Sequence, residues 1–277
     1  MNYRIGGCGV RLDNVVGLPA IANGFIDPLA PCDLLIDCDA AARPEVGQRR
    51  FQADQVWERW ESAGEGQIRW NDAVSETVLA TLTFDLGWPR RCSLWHAPQV
   101  SAAALLFEYP LLQLALIDYW SAHAGMLVHT CGLIDDGAAV LLFGPPEVGK
   151  STSARLWHAA GATILSDDRV VVRVRDGRLW AYGTPWHSST PLVSPRGAPV
   201  AAILALRHGP ANQASLLAPA AAGRRLLPEV HLPLWDAAAV DRSLAAADAL
   251  ASGVPCYDFA FVPDASAVEY VRNLLRK

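Results

Sequence analysis

The chain has 277 residues, 52% of them hydrophobic and 18% charged, with a net charge of −5. That composition supplies a buried core and excludes general disorder, and the acidic balance leaves no broad basic face for duplex nucleic acid, so no nucleic-acid partner is expected. The length suits two modest domains or one large one. The six cysteines (8, 32, 38, 92, 131 and 256) form no C-x-x-C pair and no even spacing, which favours reduced thiols in a cytoplasmic protein over a zinc site or a disulfide framework.

The opening MNYRIGGCGVRLDNV has no basic stretch followed by an apolar one, so no signal peptide is expected. Residues 1 to 100 carry five of the ten tryptophans: Trp57, Trp60, Trp70, Trp88 and Trp95. Short β-like runs at 32–38 and 77–84 lie between polar turns. They predict a small β-rich or α+β domain over 1–100, ahead of a second domain over 101–277. The tryptophans could line a binding face, but packing in a small core is the commoner use of such rings. Residues 102–120 are the most apolar stretch, interrupted by Glu108, Pro110, Gln113 and Asp118. That is too polar to span a bilayer, so no membrane partner is expected, and a core helix starting near Pro110 is predicted instead.

Residues 127–134, the turn Asp135-Asp136-Gly137 and the apolar run 138–143 read as a β-hairpin. The hairpin feeds Gly144-Pro-Pro-Glu-Val-Gly-Lys-Ser151, the G-x-x-x-x-G-K-[ST] pattern of a P-loop. Lys150 is one of two lysines, the other being Lys277, while arginine supplies the rest of the 23 basic residues. A compact ammonium suits the phosphate cradle where a planar guanidinium does not. Residues 151–160 read as a helix stopped by Gly161, so the helix N-terminus points at the bound anion. Gly144, Glu147, Val148, Gly149, Lys150, Ser151 and Thr152 are the expected nucleotide-binding residues, with the Ser151 hydroxyl on Mg²⁺.

A strand over 162–166 then delivers Asp167 and Asp168. One carboxylate can hold Mg²⁺ and the other can take a proton from an attacking hydroxyl. Asp167 is assigned to the metal and Asp168 to the proton, with the reverse left open. Lys150 joins them as a catalytic residue. His129, on a strand expected to hairpin with the P-loop strand, either reaches the reacting phosphate or Asp168, or simply packs. Residues 169–175 and 179–182 read as a hairpin turned by Asp176-Gly177. Trp186 and His187 could lie over nucleotide or substrate, or anchor their loop. Arg169 and Arg196 are candidate phosphate partners, although surface arginine is the commoner explanation for each. A strand is expected over 196–206. Helices are expected over 224–230, 237–252 and 264–276, the last capped by Asp264 or Ser266. Residues 218–223 are a small-residue loop or helix start.

His129-Thr-Cys-Gly-Leu, GPPEVGKST and Leu165-Ser-Asp-Asp-Arg-Val170 together are similar to the C-terminal domain of HPr kinase/phosphorylase. They resemble more closely the shorter HPr-kinase-like proteins found beside peptide-modifying genes, which share Gly183-Thr-Pro-Trp186 and Val254-Pro-Cys-Tyr257. The resemblance covers about residues 120–206, and the tail more loosely. It implies an α/β (α+β) P-loop domain of the phosphoenolpyruvate-carboxykinase type, with a mixed sheet, behind the small β-rich N-terminal domain. It implies ATP and Mg²⁺, with Gly149, Lys150 and Ser151 on phosphates and metal, one of Asp167 and Asp168 as catalytic carboxylate, and His129 in support. The family's Glu-Ile/Val-Arg-Gly-Leu-Gly signature has no counterpart here: residues 184–197 hold no glutamate. Pro146 and Glu147 also stand where the family has small residues. The expectation is therefore a kinase that runs forward, with little phosphorylase activity, and HPr is not assigned as its acceptor. The expected activity is transfer of the γ-phosphoryl of ATP to a hydroxyl, foremost a serine of a peptide or protein. The alternatives are a kinase of a small hydroxyl metabolite, and a nucleotide-gated peptide-binding module with little catalysis. The sequence allows a homo-oligomer and leaves acceptor and nucleotide base open.

Overall fold

The computed structural model describes residues 1–39, 47–88, 90–108 and 110–276; Lys277 lies outside them. The chain divides into two compact units, Met1–Tyr119 with Leu234–Ala237, and Trp120–Pro233 with Ala238–Lys277. Among the described residues no helix is long and apolar enough to cross a membrane.

The first unit is built on an eight-stranded sheet. Its strands are β1 (Asn2–Ile5), β2 (Cys8–Asp13), β3 (Leu34–Asp37), β4 (Gln48–Ala53), β5 (Trp57–Ser62), β6 (Glu65–Asn71), β7 (Val78–Asp85) and β8 (Arg90–His96), in the order β1-β2-β3-β8-β7-β6-β5-β4. β3 runs parallel to both β2 and β8, and the remaining pairs are antiparallel. Leu34, Ile36, Ile68, Leu82 and Leu94 are buried, as strand alternation requires of one packed face. Arg59 and Arg90 are buried too, and both guanidiniums donate to Asp118 Oδ2, at 3.0 and 2.8 Å, while Trp235 Nε1 donates to Oδ1. The tryptophans pack. Trp57 meets Phe51 and Trp235, Trp60 lies under Arg49 and Arg69, and Trp88 lies under Arg90.

A short helix, α1 (Ala102–Phe107), precedes the core helix expected to start near Pro110, which is α2 (Leu111–Ala122). Ser101 caps the first by accepting the Ala104 N–H at 3.1 Å. Pro110 stands just before α2, where its missing N–H costs no helical hydrogen bond.

The second unit carries the other sheet, mixed and nine-stranded. In chain order it comprises β9 (Gly125–His129), β10 (Cys131–Asp135), β11 (Ala138–Phe143), α3 (Lys150–Ala159), β12 (Thr163–Ser166), β13 (Arg169–Arg175), β14 (Arg178–Tyr182), β15 (Gly197–His208), β16 (Gln213–Leu216), α4 (Pro219–Leu226), α5 (Ala237–Gly253), β17 (Cys256–Phe261) and α6 (Ala265–Leu275). The main path is β12-β10-β11-β15-β14-β13-β9, with β17 beside β15 and β16 on β17. β15 runs parallel to β11 and β17; the other pairs are antiparallel. The helices cover both faces, which is why β11 reads as an unbroken apolar run. Leu141 and Phe143 pack in a cluster with α4 and α5 residues such as Leu226 and Leu250. Val140 and Leu142 pack in a second cluster with Trp157 of α3 and Val268 of α6. Asp264 caps α6 through the Ser266 N–H.

One sequence expectation changes here. The predicted strand over 127–134 breaks at Thr130: β10 hairpins with β11, whereas β9 pairs with β13, placing His129 opposite Arg169. Thr130 makes the break by engaging different partners, its N–H donating to Asp168 O at 2.9 Å and its hydroxyl to Leu142 O at 2.9 Å.

Candidate functional site

The loop between β11 and α3 turns sharply. Glu147 takes the left-handed conformation with φ 64°, and Gly149, the residue before the helix, has φ 107°. A Cβ on Gly149 would also lie 2.7 Å from the Phe261 ring, so glycine is demanded there by both backbone and space. Lys150 opens α3 and is 9% exposed. Its ammonium folds back on the loop, donating to Gly144 O at 2.6 Å and reaching Pro145 O at 3.4 Å.

Asp167 and Asp168 follow β12 and take different surroundings. Asp167 is 1% exposed, and its carboxylate accepts the Ser188 N–H at 2.8 Å and the Thr190 N–H at 3.2 Å. It thereby pins the segment after Trp186. Ser166 ties the same segment down: its hydroxyl donates to Trp186 O at 2.6 Å and accepts the Asp168 and Arg169 N–H groups. Gly183 lets the backbones close, since a Cβ there would sit 1.7 Å from Ser194 O.

Asp168 faces His129 and Arg169. Its Oδ1 lies 3.3 Å from His129 Nε2, and its Oδ2 accepts from the Arg169 guanidinium. Burial works to raise its pKa, but the His129 hydrogen bond and the charges of Arg169, His129 and His231 hold it below the usual carboxylate value. The other nitrogen of His129, Nδ1, lies 3.1 Å from Glu229 Oε2. Val230 bridges Val128, and His231 N–H donates to Leu127 O at 2.9 Å, so the segment after α4 is held along β9 and delivers Glu229 to the histidine. His231 sits behind this cluster. Its pKa is pushed down to about 4, by burial first and then by the charges of Arg169 and His129, with Asp168 opposing.

His129, Lys150, Asp167 and Asp168 border a cavity of about 370 Å³, while Arg169, Glu229 and His231 stand outside its lining. Of the residues expected from sequence, His129, Glu147, Gly149, Lys150, Ser151, Thr152, Asp167 and Asp168 line it. Gly144 contributes its carbonyl to Lys150, and Val148 is a buried core residue beneath the loop. Trp186 is buried against Trp120, and His187 and Arg196 are exposed and not among the lining residues. The sequence reading missed Arg155, Ser188, Ser189, Glu229 and His231. Arg155 was findable, because it stands four residues after Ser151 on the same helix face. Nothing local in the sequence points to Glu229.

No protein-family model matches the chain, and no curated protein does. Among solved structures it is similar to the HPr(Ser) kinase/phosphatase from Coxiella burnetii, with 13% sequence identity and a TM-score of 0.30, over 54% of this chain and 92% of that one. The relation is distant, and no function is carried over from it.

Proposed function

We propose that the second unit is an ATP-dependent kinase that passes the γ-phosphoryl group to a hydroxyl, foremost a serine of a peptide or protein. The observation behind this reading is that Lys150, at the start of α3 behind a glycine loop, and the Asp168 carboxylate border one cavity. The loop and helix N–H groups offer an anion site, and Lys150 can exchange its loop carbonyl for phosphate oxygen. Asp168 takes the hydroxyl proton as the oxygen attacks. His129, oriented by Glu229, keeps Asp168 charged and aimed. Asp167 holds the acceptor-side segment through Ser188 and Thr190.

Among the described residues no three His, Cys, Asp or Glu side chains converge on a metal site. Mg²⁺ takes one or two protein ligands together with substrate phosphates and water. Ser151 and a carboxylate of the Asp167-Asp168 pair would hold it, and when bound it would neutralise charge on the phosphates. The choice of ATP among nucleoside triphosphates rests on the sequence resemblance. A second reading, a nucleotide-gated module with slow chemistry, is favoured by one feature: Glu147 puts an exposed negative charge on the cavity wall.

Lys150→Ala and Asp168→Asn separate the readings. Under the kinase reading Lys150→Ala loses Mg-ATP binding in calorimetry, with an unchanged circular dichroism spectrum. Asp168→Asn keeps binding and loses about 10²- to 10⁴-fold in transfer, the usual contribution of a positioned base. Equal ATP affinity in wild type and Lys150→Ala removes both readings. Unchanged transfer in Asp168→Asn removes its assignment as the base.

A further inference from the structure

We infer that the turn at Ser188 and Ser189 is a self-phosphorylation site, an inference that rests on the kinase reading above. Both residues are exposed, and both line the cavity bordered by Lys150, Ser151 and Asp168. Their backbone is fixed from both sides, because the two oxygens of the buried Asp167 accept the N–H groups of Ser188 and Thr190. The side chains are not fixed: among the described residues neither serine hydroxyl has a hydrogen-bond partner. Ser166 nearby differs, with its hydroxyl fully engaged by Trp186, Asp168 and Arg169. Thr190 differs as well, being 4% exposed with its hydroxyl enclosed. The segment thus presents two serine hydroxyls on a clamped backbone, which is how a peptide acceptor would have to be presented. An acceptor tethered and oriented in this way reacts with the advantage of an intramolecular step.

The step balances without a further reagent. The serine Oγ forms a bond to the γ-phosphorus of a nucleoside triphosphate. The bond from that phosphorus to the β–γ bridging oxygen breaks, and the diphosphate leaves with the electron pair. The hydroxyl proton passes to the Asp168 carboxylate and from there to water. The product is a phosphoserine beside Asp167 and Asp168, where like charges oppose one another.

The test uses the full chain, freshly dephosphorylated, with Mg-ATP and no added acceptor, read by intact mass and by peptide mapping of the modified residue. The expected result is one phosphate per chain on Ser188 or Ser189, at a rate independent of protein concentration. Thr190 stays unmodified, and the Ser188→Ala/Ser189→Ala double variant gains no phosphate. Calorimetry on the wild type is run in parallel. If Mg-ATP binds and no phosphate appears, or it appears elsewhere and survives in the double variant, the inference is overturned while the nucleotide reading stands. If Mg-ATP does not bind, the kinase reading falls and takes the inference with it.

Discussion

At His129 two carboxylates face one ring, Glu229 from the Nδ1 side at 3.1 Å and Asp168 from the Nε2 side at 3.3 Å. A neutral imidazole has one N–H and can donate to only one of them; the doubly protonated ring donates to both. Glu229 therefore governs how firmly the ring is turned towards Asp168, although it does not line the cavity itself. Its role is positioning, and a kinetic split exposes it. Glu229→Gln keeps an acceptor of the same shape and removes the charge. Losing a charge-assisted hydrogen bond costs about 1.5–3 kcal/mol, which in a rate is about ten- to hundredfold. The expected outcome is that fall in kcat with KM for ATP unchanged, since Lys150 and the glycine loop are untouched. Parallel loss of kcat and ATP affinity, with a lowered melting temperature, assigns Glu229 to the fold alone.

Among the elements, the loop between β11 and α3 carries a visible conflict. Glu147 is the one non-glycine residue of that loop with positive φ, at 64°, and its exposed carboxylate borders the cavity. Left-handed backbone costs a residue with a Cβ about 1–2 kcal/mol, and a like charge about 4 Å from a phosphate costs about 1 kcal/mol even in bulk water. Glu147→Gly relieves both and Glu147→Gln only the charge. Both variants should bind Mg-ATP several-fold more tightly than wild type, with an advantage that shrinks as salt is added. Equal affinity at low salt in all three proteins shows that this carboxylate does not feel the bound nucleotide. The same loop shows what was legible in the sequence. β10, β11, α3, β12, β13 and β14 follow one another through short local turns, and each is marked by its own residues: the Asp136-Gly137 and Asp176-Gly177 turns, the glycine loop, the Gly161 stop. The break at Thr130 was not legible, because it depends on Asp168 and Leu142, which the fold brings to it. Glu229 was hidden for the same reason. It reaches His129 only through the Val128–Val230 bridge, a pairing with no local pattern. The start of α2 just after Pro110 was legible in that proline, whereas the separate α1 ahead of it was not.

At the scale of the whole molecule, half-buried titrating groups connect the candidate site to stability. His231 has its pKa pushed down to about 4 from the ordinary histidine value of 6.5. The folded protein therefore keeps this ring neutral where the unfolded chain would protonate it, and acid favours the unfolded chain. Its contribution is present above about pH 6.5 and is lost as pH falls towards 4. Asp168 and Asp258 act in a lower window. Burial tends to raise both, but His129 and Arg169 hold Asp168 down, and Arg207 and Arg225 hold Asp258 down. Their contributions remain until pH drops below the ordinary carboxylate value of 3.8. The two windows can be told apart by calorimetry at pH 7 and pH 4.5. Between these values the wild type should lose melting temperature, and His231→Gln should lose markedly less, because glutamine has no proton to take up. Where two transitions are resolved, the one that responds to the substitution belongs to the second unit. An equal fall in both proteins would show that proton uptake by His231 does not set the acid sensitivity between these two pH values.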